Sequence, residues 1–206
     1  EGERAIMTEV SDQVGIAIEQ AIQHERILTL SRTDGMTGLL NRRAFFEELK
    51  RRHSRLQRER APAALMYVDM DNFKMVNDIH GHQTGDEAIL ALTRVLQDNV
   101  RPADLIARLG GDEFVLWLEG ADVSAASGRA RLLMKESAIL GQYSGDKDHP
   151  LGISVGIAVH EPGSKENLQQ LVQRADQTMY QVKKHGKGRF GIAAAPGSEE
   201  PAKIED

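Results

Sequence analysis

Seven consecutive residues, Arg108-Leu109-Gly110-Gly111-Asp112-Glu113-Phe114, join a two-glycine turn to two adjacent carboxylates. Apolar residues flank the glycines on both sides, so the segment reads as a β-hairpin whose tip carries the acids. Glycine adopts positive φ without penalty and, lacking Cβ, lets a phosphate come close to the backbone. Neighbouring carboxylates repel each other, and a bound cation is one reason to place them together. Taken alone, the tip also fits an ordinary Gly-Asp turn kept soluble by its acids. A second acidic cluster, Asp69-Met70-Asp71-Asn72-Phe73-Lys74, closes a short apolar run over residues 63–68. Carboxylates at a strand end make the oxygen-rich kind of site that magnesium prefers, completed by phosphate oxygens. The chain has no cysteine, which excludes a thiolate zinc site. His80 and His82 have a spacing that suits no common zinc pattern and read as loop histidines packing on their neighbours. Lys74 beside the acids suits a polyphosphate as a point charge. Metal-assisted nucleotide chemistry is the common denominator.

These residues need a scaffold, and the pattern of the chain supplies one. Residues 63–68 follow Pro62 as a buried strand, and 153–160 read as another. Asn41 is an N-cap candidate for a helix from Arg42 to about Arg58, with Phe45, Leu49 and Leu56 as its buried stripe. Further helices are expected through Ala88, Leu90, Leu92, Val95 and Leu96, over 122–140, and through Leu168, Leu171, Ala175, Met179 and Val182. A short closing strand is expected over 189–192. Helices mixed with hairpins make the chain α+β rather than a run of βαβ units. The tail from Ala193 is low in apolar residues and is expected to be disordered. At the other end, Met7, Val10, Val14, Ala17, Ala21 and Leu28 recur at heptad spacing, and residues 1–31 read as a helical stalk or as an amphipathic helix that packs on another domain.

Bulk composition narrows the classes. At 206 residues the natural count is one main domain plus an appendage. The 40% apolar share supports a proper core, and 4% aromatics make it mostly aliphatic. A formal charge of −5 argues against a sequence-independent hold on nucleic acid but not against a nucleotide. No apolar window is long enough to span a membrane. The lack of cysteine suits a reducing cytoplasm, and the start at Glu1 reads as a fragment of a longer chain.

The segment from Arg108 to Phe114 resembles the signature of the GGDEF family, the diguanylate cyclases. The resemblance extends in order through Asp34-Gly35-Met36-Thr37-Gly38-Leu39-Leu40-Asn41-Arg42-Arg43, Asp69 to Lys74, Asn77-Asp78, Gly81 to Asp86, Ser154 to Ala158 and Ala175 to Lys183, covering about residues 32–192. It implies a central, mostly antiparallel sheet flanked by helices, like the palm of polymerases and adenylyl cyclases. It implies condensation of two GTP into cyclic di-GMP, with two Mg2+ (or Mn2+) per active half-site held by Asp69, the Met70 carbonyl, Asp112 and Glu113. Asp112 could also assist deprotonation of the attacking hydroxyl. Lys74, Lys183 and Lys187 match phosphate contacts, the last where the family usually has arginine, and Gly110 and Gly111 match the substrate-binding turn. Asn77 and Asp86 match the guanine readers, with Met36, Phe73 and Ile89 lining the base. Arg101 and Asp104 match an inhibitory site for cyclic di-GMP, completed by Arg129 or Arg131. The resemblance further implies a homodimer, because one domain holds one GTP, and an upstream sensor domain. The alternatives are a catalytically silent receptor for GTP or cyclic di-GMP, and a dimerisation output module. Intact acids and lysines favour the enzyme.

Overall fold

The computed structural model describes Ile18 and residues 32–198 and 200–205. The stalk expected over residues 1–31 otherwise lies outside the described residues. Along the chain the elements are β1 (Leu40–Asn41), α1 (Arg42–Glu59), β2 (Ala63–Asp71), α2 (Phe73–His80), α3 (His82–Asp98), β3 (Leu105–Gly110), β4 (Glu113–Glu119), α4 (Val123–Glu136), a 3-10 helix (Ser137–Tyr143), β5 (Gly152–His160), α5 (Leu168–Lys184), β6 (Phe190–Ile192) and β7 (Lys203–Glu205). The strands form one sheet in the order β1-β3-β4-β2-β5-β6-β7. Only β1 with β3 and β5 with β6 run parallel, so the sheet is mostly antiparallel and helices flank it, the α+β architecture expected.

β2 sits at the middle of this sheet, and all nine of its residues are buried. Alternation sends Ala64, Met66, Val68 and Met70 to one face, against Val76 of α2, Leu92 of α3 and Leu133 of α4. Ala63, Leu65 and Tyr67 face the other way, against Phe45 and Leu49 of α1 and Met179 of α5. A strand covered on both sides must be apolar throughout, which is why its terminal acids carry information. Asn41 caps α1 by accepting from the Ala44 amide at 2.9 Å, as its position in the sequence suggested.

α5 lies very close to β5. A Cβ built on Gly156 would fall 2.2 Å from the Met179 nitrogen and 2.4 Å from the Ala175 carbonyl oxygen, so only glycine permits the approach. That approach sets how far the C-terminal turn of α5, with Lys183, reaches over the end of the sheet. Three elements depart from the sequence reading. β2 continues past Val68 to Asp71, a separate helix α2 intervenes before α3, and the helix expected to Leu140 ends at Glu136 and continues as 3-10. The tail expected to be disordered ends in a strand: β7 pairs with β6, Ile204 packs over Gly191, and Glu205 accepts from Arg131 at 2.6 Å. One apolar side chain and one ion pair are too local for composition to reveal.

Two histidines are buried where α1 crosses the end of β5. His53 and His160 stand edge to face with ring centroids 4.7 Å apart. His53 Nε2, both ring nitrogens of His160 and Trp117 Nε1 meet no protein hydrogen-bond partner among the described residues. Burial holds both imidazoles below their ordinary pKa; Glu166 opposes this at each ring, while His160 adds to it at His53 and Arg174 at His160. A histidine whose native pKa lies below its unfolded value contributes full stability above about pH 6.5 and loses it as the pH falls. The two imidazoles should therefore pull the thermal midpoint down between pH 7 and pH 5, each kcal/mol of their penalty lowering it by about 2–4 °C. In differential scanning fluorimetry the midpoint of His160→Leu relative to the native chain should be higher at pH 5 than at pH 7; a difference that does not change with pH would contradict the assignment.

Candidate active site

Strand register brings the two acidic clusters together. In the β2–β4 ladder Asp69 stands directly opposite Glu113, and the Met70 amide donates to the Asp112 carbonyl at 3.3 Å. Directly opposed residues of an antiparallel pair share a face, so Asp69 and Glu113 point the same way. The tip itself bends as its glycines require: Gly110 has φ 149° and Gly111 φ 52°, with a register shift between Arg108 and Gly110. Arg108 fastens the turn. Its Nε and Nη2 donate to the Gly111 carbonyl at 2.9 and 2.7 Å, and its Nη1 meets Asp34 Oδ1 at 3.2 Å. Burial pushes the Asp34 carboxyl up, but hydrogen bonds from Thr37 and the charge of Arg108 outweigh it and leave Asp34 below the usual range. Arg108 had no assigned role in the sequence reading; a fork-shaped donor two positions before the glycine pair was the available signal.

Asp69 is 5% exposed, and Lys183 at the end of α5 holds its Oδ1 at 2.6 Å. Burial is the largest influence on its carboxyl, which is pushed up to about 6. The Lys183 ammonium pulls the value back down, while Asp112 and Asp71 push it up. Asp71, which lies outside the expected metal set, is 3% exposed and structural. Its oxygens accept from Ser154 Oγ at 2.7 Å and from the Gly188 amide at 2.9 Å, tying β2 to β5 and to the segment after α5. Asn72 follows with φ 61°, donates to the Pro150 carbonyl at 2.9 Å and accepts from Lys187 Nζ at 2.8 Å. Lys187 is therefore engaged beside the site, at the turn after β2.

The remaining candidates fall into three places. Lys74 is exposed in the first turn of α2, on the helix that leaves β2. Phe73 and Asn77, on the same helix, pack against Gly85 of α3: a Cβ there would lie 2.0 Å from Asn77 Oδ1 and 3.2 Å from Phe73 Cζ. Asn77 Oδ1 is buried without a protein donor among the described residues, and Asp86 is exposed one residue beyond Gly85. Arg101 and Asp104 lie away from these, at the open end of the β3–β4 hairpin. They line a hollow of about 340 Å³ with Glu119, Gly128, Arg129 and Leu132. Arg129 thus shares the hollow, whereas Arg131 pairs with Glu205 and stacks over Phe190, its guanidinium carbon 5.7 Å from the ring centroid.

Among the described residues no three acidic or histidine side chains gather on one point. The donors near Asp69 are carboxylates and a backbone carbonyl, hard oxygens too few for a protein-only cage. That set suits Mg2+ or Mn2+, whose coordination a bound polyphosphate and water would complete. Asp69, Asp112, Glu113 and the Met70 carbonyl would hold it. Among the described residues no helix is long and apolar enough to cross a membrane.

Comparison with known proteins gives the family context. Residues 31–189 match the family model "Diguanylate cyclase, GGDEF domain". The chain is 36% identical over 178 residues to a probable diguanylate cyclase, DgcC, of Escherichia coli, covering 86% of this chain and 47% of that protein. It is 30% identical over 173 residues to the diguanylate cyclase DgcS of Shewanella oneidensis, covering 84% of this chain and 56% of the relative. The chain thus spans about half the length of these curated relatives. The crystal structure of the GGDEF domain of DgcB from Caulobacter crescentus, solved in complex with c-di-GMP, superposes with a TM-score of 0.70 at 30% identity, covering 80% of this chain and 97% of that one. The diguanylate cyclase SiaD of Pseudomonas aeruginosa, solved with its activator SiaC, gives a TM-score of 0.71 at 31% identity, covering 88% and 71% of the two chains.

The burial of Asp69 has a cost that can be measured. Because its native pKa of about 6 lies above the unfolded value of 3.8, the native state binds more protons between those pH values. Stability therefore falls as the pH rises through that window, and the penalty is complete above it. Asp69→Asn should be more stable than the native chain at pH 7, by about 1–3 kcal/mol in urea melts, and the gain should vanish near pH 4. A variant that is less stable at pH 7 would contradict this balance.

Proposed function

The chain belongs to the GGDEF family, and on that premise we propose that it condenses two GTP molecules into cyclic di-GMP. The observation that carries the reading is the convergence of Asp69 with the Asp112–Glu113 tip beneath Lys183. In each half-reaction the 3′-hydroxyl of one GTP attacks the α-phosphorus of the other. The hydroxyl loses its proton, the bond to the β-phosphate oxygen breaks, and pyrophosphate leaves; repetition in the opposite sense closes the ring. Such displacements depend on alignment and charge neutralisation more than on covalent help. Divalent cations, two for each half-site, would supply Lewis acidity toward the phosphates and the leaving group.

The chain's own residues do the rest. Lys74, Lys183 and Lys187 offer positive charge to the triphosphate, and Lys183, paired with Asp69 here, would be free to turn to phosphate once a cation neutralised Asp69. The exposed glycines at the tip leave room for the phosphates to approach the backbone. In this reading Asp112 accepts the hydroxyl proton. Asp86 can accept from guanine N1 and N2, a donor pair adenine lacks, and the unpartnered carboxamide oxygen of Asn77 fits a ligand that brings its own donors. Phe73 closes the apolar side of the base.

One domain holds one GTP, so the reaction requires two copies facing each other as a homodimer. In this reading residues 32–192 form the catalytic domain, working in the cytoplasm under the control of an upstream sensor domain. The hollow at Arg101, Asp104 and Arg129 receives cyclic di-GMP and shuts the enzyme down, since guanidinium forks suit both the guanine edge and phosphate.

Incubation with GTP and Mg2+ should give cyclic di-GMP and pyrophosphate by mass spectrometry, with a rate rising more steeply than protein concentration. Asp112→Asn should reduce turnover at least about 100-fold with a melting midpoint no lower than the native chain's; undiminished product would remove Asp112 from the chemistry. Arg101→Ala should raise the inhibition constant for added cyclic di-GMP at least about tenfold; equal inhibition of both proteins would show that the hollow does not receive the product.

A further inference from the structure

Behind the Arg101–Arg129 hollow lies a charge cluster that neither the family signature nor the catalytic residues include. Glu119, the last residue of β4, lines that hollow and is only 14% exposed through its side chain. An uncovered carboxylate there would oppose any anion the two arginines attract. Its charge is turned away by α1. Arg52 Nη1 meets Glu119 Oε1 at 2.9 Å, and Arg55, one turn on, pairs with the second oxygen. Glu48 steadies Arg52 at 3.3 Å from its Nε.

The same guanidinium also reaches the turn that carries Arg101. Arg52 Nη1 donates to the Ala103 carbonyl. Asp104 closes that turn with both carboxylate oxygens: Oδ2 accepts from the Arg101 amide at 2.8 Å, and Oδ1 accepts from the Glu119 amide at 3.1 Å. Arg52 therefore touches Ala103 directly, and Asp104 through Glu119. Its side chain is 22% exposed, sheltered enough for these bonds to be worth more than a surface ion pair.

We propose that Arg52 is a positioning residue for the Arg101–Arg129 hollow, holding the Ala103 carbonyl and the Glu119 carboxylate on the α1 side so that the hollow presents its arginines to an anionic guanine dinucleotide. This rests on the assignment of that hollow to cyclic di-GMP. Loss of Arg52 does two things together. It frees the turn at Ala103, and it uncovers one oxygen of Glu119 toward the ligand. Arg55 holds only the other oxygen and does not reach Ala103 in the contacts seen. The charge component separates the proposal from a generic structural role, because it disappears when Glu119 is also neutralised.

The experiment is isothermal titration of the full chain with cyclic di-GMP, and separately with a non-hydrolysable GTP analogue and Mg2+. Arg52→Ala should bind cyclic di-GMP at least about tenfold more weakly while its affinity for the GTP analogue stays unchanged. Arg52→Ala combined with Glu119→Gln should recover part of the lost affinity. Cyclic di-GMP binding by Arg52→Ala equal to the native chain overturns the proposal, as does a double variant no better than the single one, or an equal loss for both ligands. Should Arg52→Ala fail to fold, Arg52→Lys is read in its place: it keeps the charge but has one head group for two acceptors, and native affinity in that variant overturns the proposal as well. A native chain that binds the GTP analogue but no cyclic di-GMP overturns the assignment of the hollow itself, an outcome distinct from the others.

Discussion

The constraint on which the rest depends is a carboxylate buried at the end of the central strand. Asp69 is almost wholly removed from water, sits opposite Glu113 and close to Asp112, and is paired with Lys183. Burying acids together is unfavourable, and burial together with the charges of Asp112 and Asp71 pushes the Asp69 carboxyl up. The surrounding structure holds them there. β2 and β4 fix the register, Arg108 clamps the turn, and Asp71 locks the strand end to Ser154 and Gly188. A group kept in an unfavourable state by this many contacts is the pattern of a site that awaits a ligand of opposite charge.

One hairpin carries two candidate sites. Its closed tip holds the acids, and its open end holds Arg101, Asp104 and the Glu119 cluster. The six residues of β3 separate the two by roughly 20 Å. The sites differ in sign: carboxylates suited to cations at one end, guanidinium groups suited to an anion at the other. Helices give each end its finish. α5 comes close enough over Gly156 to deliver Lys183 to the first, and α1 delivers Arg52 and Arg55 to the second.

Much of this was legible in the chain. The apolar run ending in Asp69 and the glycine pair before Asp112 announce a buried strand and a hairpin tip, because strand burial and positive φ leave strong residue signatures. The cap at Asn41 was legible for the same reason. What escaped notice depends on distant partners. Asp71 looks like any loop acid until Ser154 and Gly188 close on it. β7 is held by Ile204 and by Glu205 with Arg131, two contacts that composition cannot register. The choice between Arg129 and Arg131 turns on which side of α4 each occupies, and helical spacing alone does not decide it. Arg52 and Glu119 are 67 residues apart, and nothing local in either segment points to the other.

The most direct measurement is diffraction at the manganese edge from crystals grown with Mn2+ and a non-hydrolysable GTP analogue. The account predicts anomalous density within about 2.1 Å of carboxylate oxygens of Asp69 and of the Asp112–Glu113 tip, with Lys183 moved from Asp69 onto the phosphates. Density elsewhere, with the Lys183 ammonium still on Asp69 and the nucleotide bound away from the hairpin tip, would contradict it.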